Sequence, residues 1–167
     1  MIQPKAPVQT YSGKINYNLS TGTNPANMNV LLIDDDRIFN LLNKKTLERM
    51  SMVDEIHIAL NGEEALDLIN DYFQGSRNMP DIILLDLNMP IMDGFGFIEA
   101  FQRLNANGKQ NVRIVIVSSS QDPRDIERAK AFGITDYLTK PVTEQQLWNA
   151  LGVPPADDKK TFGNRGA

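Results

Sequence analysis

"DIILLD", residues 81–86, decides how this chain is read. Four apolar residues stand in a row between two aspartates. A strand with one covered face alternates apolar and polar residues. A run that is apolar on both faces marks a central strand of a parallel sheet covered on both sides. "IVIV" within "VRIVIV" (112–117) repeats the pattern, and "NVLLI" (29–33) is a third strand. "EIHIA" (55–59) mixes polar with apolar residues, as an edge strand does, and "DYLT" (136–139) is a short fifth strand. A helical pattern follows each of them. Residues 36–51 carry Ile38, Leu41 and Leu42, and residues 63–73 put Leu66, Ile69 and Phe73 on one face. Three more helices are expected near 94–105, 123–132 and 143–151. Strand–helix repeated five times predicts an α/β domain with a parallel sheet.

The 167 residues suit one such domain with a tail at each end, and 41% hydrophobic residues suffice for a core. Residues 1–28 are rich in Asn, Thr, Pro, Gly and Ser, and only "KINYNLS" (14–20) alternates like a short strand. They are expected to form a mostly flexible N-terminal tail, and 153–167, opening on Pro154 and Pro155, a polar C-terminal one. That leaves 29–152 as the domain. Residues 1–29 hold two lysines and no acid, whereas 30–152 hold 12 basic and 19 acidic residues, a net of −7. An acidic core argues against nucleic acid as the main partner and suits a cation. There is no cysteine, so disulfides and thiolate metal sites are excluded. No apolar run approaches the roughly 20 residues of a membrane span, and the N-terminus does not read as a signal peptide. A soluble, cytoplasmic protein is the expectation.

In open parallel sheets, ligands bind outside the carboxyl ends of the strands. Asp34, Asp35 and Asp36 follow the first strand, Leu60-Asn61-Gly62 the second, Asp86-Leu87-Asn88 the third, Ser118-Ser119-Ser120 the fourth, and Lys140-Pro141 the fifth. Carboxylates converging without His or Cys make a hard oxygen site, which favours Mg²⁺, Mn²⁺ or Ca²⁺ over zinc. A lysine and a hydroxyl beside them make sense only if an anion binds too. Carboxylate, divalent cation, Lys and Ser together fit a phosphoryl group, with one carboxylate as the nucleophile.

At these motifs the sequence resembles the receiver domain of two-component response regulators. The residues that carry the resemblance are Asp34-Asp35, "DLNMPIMDG" (86–94), Ser118 after "IVIV", and "YLTKP" (137–141), in order over about 30–152. The resemblance implies a flavodoxin-like doubly wound (βα)5 fold with strand order 2-1-3-4-5. It implies that Asp86 is the phosphoacceptor, loaded from the phosphohistidine of a sensor histidine kinase. Asp35 would bind Mg²⁺ directly and Asp34 mainly through water, with Asp86 and the carbonyl of Asn88 completing the ligands; Mn²⁺ is an alternative. Lys140 would pair with Asp86 and, after loading, with the phosphoryl oxygens. Ser118 would donate its hydroxyl to the phosphoryl group. Tyr137 matches the switch aromatic, and Lys140-Pro141 a peptide bond that is cis in this family.

Each residue also has a plainer reading. Asp36 suits a helix cap facing water, so the three adjacent aspartates become two ligands and one cap. His57, the only histidine, sits mid-strand at an edge and reads as structural; Gly94 reads as a backbone requirement at a helix start. The implied function is a single-domain response regulator, not an enzyme, that signals to a downstream protein or passes its phosphate to a phosphotransfer protein as a relay intermediate. It is a monomer or a phosphorylation-dependent dimer. The stretch after 152 is too short and polar for a DNA-binding unit. An aspartyl-phosphate phosphatase is disfavoured because Asn88 stands where that chemistry wants a second acid. A phosphorylation-independent module is disfavoured because all the acids and the lysine are kept.

Overall fold

The computed structural model describes residues 27–75, 78–105 and 109–152. The tails expected at 1–28 and 153–167, with the strand-like 14–20, lie outside these residues except for Asn27 and Met28. Met28 already belongs to the first strand.

Five strands, β1 (Met28–Ile33), β2 (Val53–Ala59), β3 (Ile82–Leu85), β4 (Arg113–Ser118) and β5 (Tyr137–Thr139), form one sheet in the order β2-β1-β3-β4-β5. Every pairing is parallel. The helices are α1 (Arg37–Glu48), α2 (Gly62–Phe73), α3 (Gly94–Arg103), α4 (Pro123–Ala131) and α5 (Glu144–Leu151). This is the flavodoxin-like order implied by the resemblance. β3, apolar on both faces in the sequence, is buried at all four positions, and β2 is an outer strand, as its mixed pattern predicts.

The alternation of side chains splits the core into two layers. On one side Leu31, Ile33, Ile83, Leu85 and Ile116 pack with Ile69, Phe97, Ile98 and Phe101 of α2 and α3. On the other, Val30, Leu32, Leu84, Val115 and Val117 pack with Leu47 of α1 and Leu147 and Leu151 of α5. The helices start where side chains take up the orphan N–H groups. Asp36 caps α1, Asn61 α2, Asp93 α3, Asp122 α4, and Thr143 closes a capping box with Gln146 on α5.

The structure departs from the sequence reading in several places. α1 ends at Glu48 rather than 51, and a single-turn 3₁₀ helix at Lys109–Asn111 precedes β4. More telling is the rotation of α1. Ile38, Leu41 and Leu42, which mark the helix in the sequence, face water at 71%, 51% and 59% exposure. Asn40, Asn43 and Leu47 face the sheet instead. Asn40 Nδ2 donates to the Asp34 carbonyl at 2.7 Å and Asn43 Nδ2 to that of Phe39 at 3.0 Å. An unpaired buried carbonyl at Asp34 is expensive, so the Asn40 amide takes the inner face, while Asn43 bonds back within α1.

Candidate functional site

Each strand delivers its last residue to one rim. Asp34 follows β1 directly, and its N–H is fixed by the Ala59 carbonyl of β2 at 3.0 Å. Asp86 follows β3, with its N–H on the Ile33 carbonyl at 2.8 Å. The ladder that holds β1 between β2 and β3 thus also sets the spacing of the two carboxylates. Both are buried, at 3% and 5% exposure, whereas Asp35 is exposed. One oxygen from each of Asp34, Asp35 and Asp86 lies within 4.8 Å of the others.

Lys140 closes the cluster. Its N–H donates to the Ser118 carbonyl at 2.9 Å, which ties the end of β5 to the end of β4, and its peptide bond to Pro141 is cis. Its ammonium lies 2.5 Å from Asp34 Oδ2 and 3.6 Å from Asp86 Oδ2, so the nearer partner is Asp34 rather than Asp86. The same nitrogen stands 4.3 Å above the centre of the Phe39 ring. Burial pushes the Asp34 carboxyl up. Hydrogen bonds from Lys140 and from the Asp36 N–H (2.9 Å) pull it back, and the charge of Asp86 adds to the rise.

Ser118 ends β4 and is fully buried; its Oγ accepts from the Ser120 N–H at 3.2 Å. Tyr137 reaches back from β5 and donates its hydroxyl to the Ser120 carbonyl at 2.9 Å, with burial pushing that hydroxyl's pKa up. Ser120 Oγ is bonded to Asp125 Oδ2 of α4 at 2.5 Å. The loop after β4 therefore has a linkage to α4 and another to β5. Asn88 is exposed in the loop after β3.

Asp36 is the cap the sequence predicts: Oδ1 accepts from the N–H groups of Ile38 (2.9 Å) and Phe39 (3.1 Å). Gly94 has a specific steric reason. A Cβ there would stand 2.4 Å from the Asp86 carbonyl oxygen and 2.8 Å from Leu87 Cα. α3 thus starts against the backbone of the Asp86 segment, held by the Gly94 N–H on the Leu87 carbonyl at 3.0 Å. His57 lies on β2, edge-on to Tyr72 at 5.7 Å and 3.1 Å from Glu55, away from the rim.

Phe39 and Asn40 escape the sequence reading. Asn40 and Asn43 at a three-residue spacing are the one available hint of a polar inner face; nothing local marks Phe39, whose role depends on Lys140 a hundred residues away.

The donor set fits a hard divalent cation. It is all oxygen, and Asp86 Oδ1 is buried with no hydrogen-bond partner among the described residues, an acceptor that awaits a charge. The Lys140 ammonium stands 3.6 Å from the other oxygen of that carboxylate, and Ser118 ends the neighbouring strand β4.

A sequence model of the family described as "Response regulator receiver domain" matches residues 30–152. A curated relative, the probable C4-dicarboxylate response regulator DctR of Halalkalibacterium halodurans, is 32% identical over 122 residues, 73% of this chain. The chain spans about half the length of that regulator, 49%. Among solved structures, a two-component response regulator from Cytophaga hutchinsonii is 34% identical with a TM-score of 0.67, covering 75% of this chain and 96% of that one. The chemotaxis response regulator CheY4 of Vibrio cholerae is 26% identical with a TM-score of 0.62, covering 76% and 98%.

Proposed function

The chain belongs to the response regulator receiver family, and from that premise we propose that Asp86 is a phosphoacceptor whose loading switches a protein-binding face. The observation that carries this reading is the set of three carboxylates within 4.8 Å, with the Lys140 ammonium 3.6 Å from Asp86.

A carboxylate oxygen of Asp86 attacks the phosphorus of a phosphohistidine on a sensor histidine kinase. The P–N bond breaks as the P–O bond forms, the imidazole leaves, and an acyl phosphate results. Asp34, Asp35, Asp86 and the carbonyl of Asn88 would hold Mg²⁺, or Mn²⁺ in its place. When bound, that ion offsets the clustered negative charge and polarises phosphoryl oxygens. Lys140 supplies the second positive charge. Its ammonium, on a flexible stem, leaves Asp34 for the incoming phosphoryl oxygens. Ser118 turns its hydroxyl from the Ser120 N–H to a phosphoryl oxygen and draws the loop after β4 inward. Because Ser120 is bonded to both Asp125 and Tyr137, that movement is passed to α4 and β5, with Tyr137 as the switch aromatic. The output is then a changed surface rather than a released product, read by a downstream protein.

Incubation with acetyl phosphate or phosphoramidate and Mg²⁺, followed by intact mass measurement, tests the assignment. One phosphoryl group should add to wild type, none to Asp86→Asn, and EDTA should suppress the reaction. A gain that survives in Asp86→Asn would place the acceptor elsewhere.

A further inference from the structure

We propose, on the reading of the rim as a cation and phosphoryl site, that Phe39 is a positioning residue. Its ring and Asp34 together make a resting seat for the Lys140 ammonium, and that seat opposes entry of the divalent cation. Phe39 packs, partly buried, against the core layer that holds Leu47 and Leu147. Packing alone would accept a leucine there. The Lys140 nitrogen, however, stands 4.3 Å from the ring centroid. That is inside the roughly 6 Å over which an aromatic face attracts a cation.

The backbone fixes the ring in place. Phe39 lies in the first turn of α1. Its N–H donates to Asp36 Oδ1 at 3.1 Å, and its carbonyl accepts from Asn43 Nδ2 at 3.0 Å. The ammonium then has two partners on the α1 side, the ring and Asp34 Oδ2 at 2.5 Å. Asp86 Oδ2, at 3.6 Å, is beyond hydrogen-bond length. The Lys140 side chain is 18% exposed, so little water screens the ring contact. An aromatic face carries partial negative charge but no carboxylate oxygen. It therefore holds the lysine without adding a metal ligand.

The seat competes with the cation. Asp34 Oδ1 accepts from the Asp36 N–H at 2.9 Å, and the ammonium holds Oδ2. A divalent cation drawn to the oxygens of Asp34, Asp35 and Asp86 meets a carboxylate engaged at both atoms and a like charge beside it. The ammonium must withdraw as the cation enters, and the ring pulls it back. Removing that pull should tighten cation binding, by roughly threefold to fivefold for a contact of this kind.

Fluorination of the ring tests this with little change of shape. One, two or three fluorines drain negative charge from the face stepwise. They are introduced at position 39 alone, because the chain has seven phenylalanines. Mg²⁺ titration, followed by amide shifts at the rim, should give a dissociation constant that falls with each fluorine. Phe39→Leu should show the full change, and Phe39→Tyr should stay near wild type. In Lys140→Met the same fluorines should have no effect. In EDTA, the side-chain proton resonances of Lys140 should shift in Phe39→Leu as the ring current is lost. A dissociation constant flat across the series, a rise in Phe39→Leu, or an equal fall in Lys140→Met overturns the proposal. So does a Lys140 resonance unmoved by loss of the ring. No Mg²⁺ response even in wild type is a different failure: it refutes the cation reading of the rim, and the competition falls with it.

Discussion

Lys140→Met removes the cation that stands between two buried carboxylates. Methionine keeps an apolar stem against Phe39 but takes away the ammonium 2.5 Å from Asp34, 3.6 Å from Asp86 and 4.3 Å above the aromatic ring. Breaking a buried ion pair by deleting one partner costs about 3–5 kcal/mol, because the other charge is left uncompensated. The Lys140 side chain is 18% exposed, so some water screens the pair and the lower end, about 3 kcal/mol, is expected. For a domain of this size that is roughly 12 °C in melting temperature. Urea unfolding at neutral pH in EDTA measures it. Mg²⁺ should restore more stability to the variant than it adds to wild type, since the cation replaces the missing counter-charge. The pH dependence has a definite sign. Burial raises the folded pKa of Asp34 above its ordinary value of 3.8, and Lys140 opposes that rise. Without Lys140 the folded pKa goes higher still. The folded state then holds a proton the unfolded state has lost, so stability falls as pH rises from 3.8 through the folded value. The deficit of the variant should therefore shrink on acidification toward pH 4. A variant as stable as wild type in EDTA, or a deficit that grows on acidification, would refute the reasoning.

Asp36→Ala loses the cap bonds to Ile38 and Phe39 and should cost about 1 kcal/mol in urea unfolding, while Asp36→Asn keeps the cap and leaves acetyl phosphate labelling near wild type. Ile91 holds a left-handed backbone, φ 70°, with a β-branched side chain that is 74% exposed. Ile91→Asn should therefore stabilise the chain by about 1 kcal/mol, read as a higher urea midpoint. Gly94→Ala places a Cβ 2.4 Å from the Asp86 carbonyl oxygen, so the backbone at the acceptor must move. It should cost roughly 2–3 kcal/mol by the same assay and slow labelling of Asp86 in whatever fraction folds.

The order of strands and helices is legible because each apolar run is long enough to be a strand and is followed by a helical pattern. Runs apolar on both faces can only be central. That the acids and the lysine gather at one rim is legible for a related reason. A parallel sheet brings every strand's carboxyl end to the same rim, so position in sequence becomes position in space. A periodic pattern carries no information, however, about how far a helix is turned toward the sheet. α1 shows this: Ile38, Leu41 and Leu42 have helical spacing, yet the Asp34 carbonyl needs a donor and Asn40 supplies it from the inner face. The closer approach of Lys140 to Asp34 than to its other partner Asp86, its seat on Phe39, and the link from Ser120 to Tyr137 belong to the same class. They join residues 17 to 106 positions apart. Distances of that kind are set by how the whole sheet twists and packs, and by which buried polar atoms must find partners once it has.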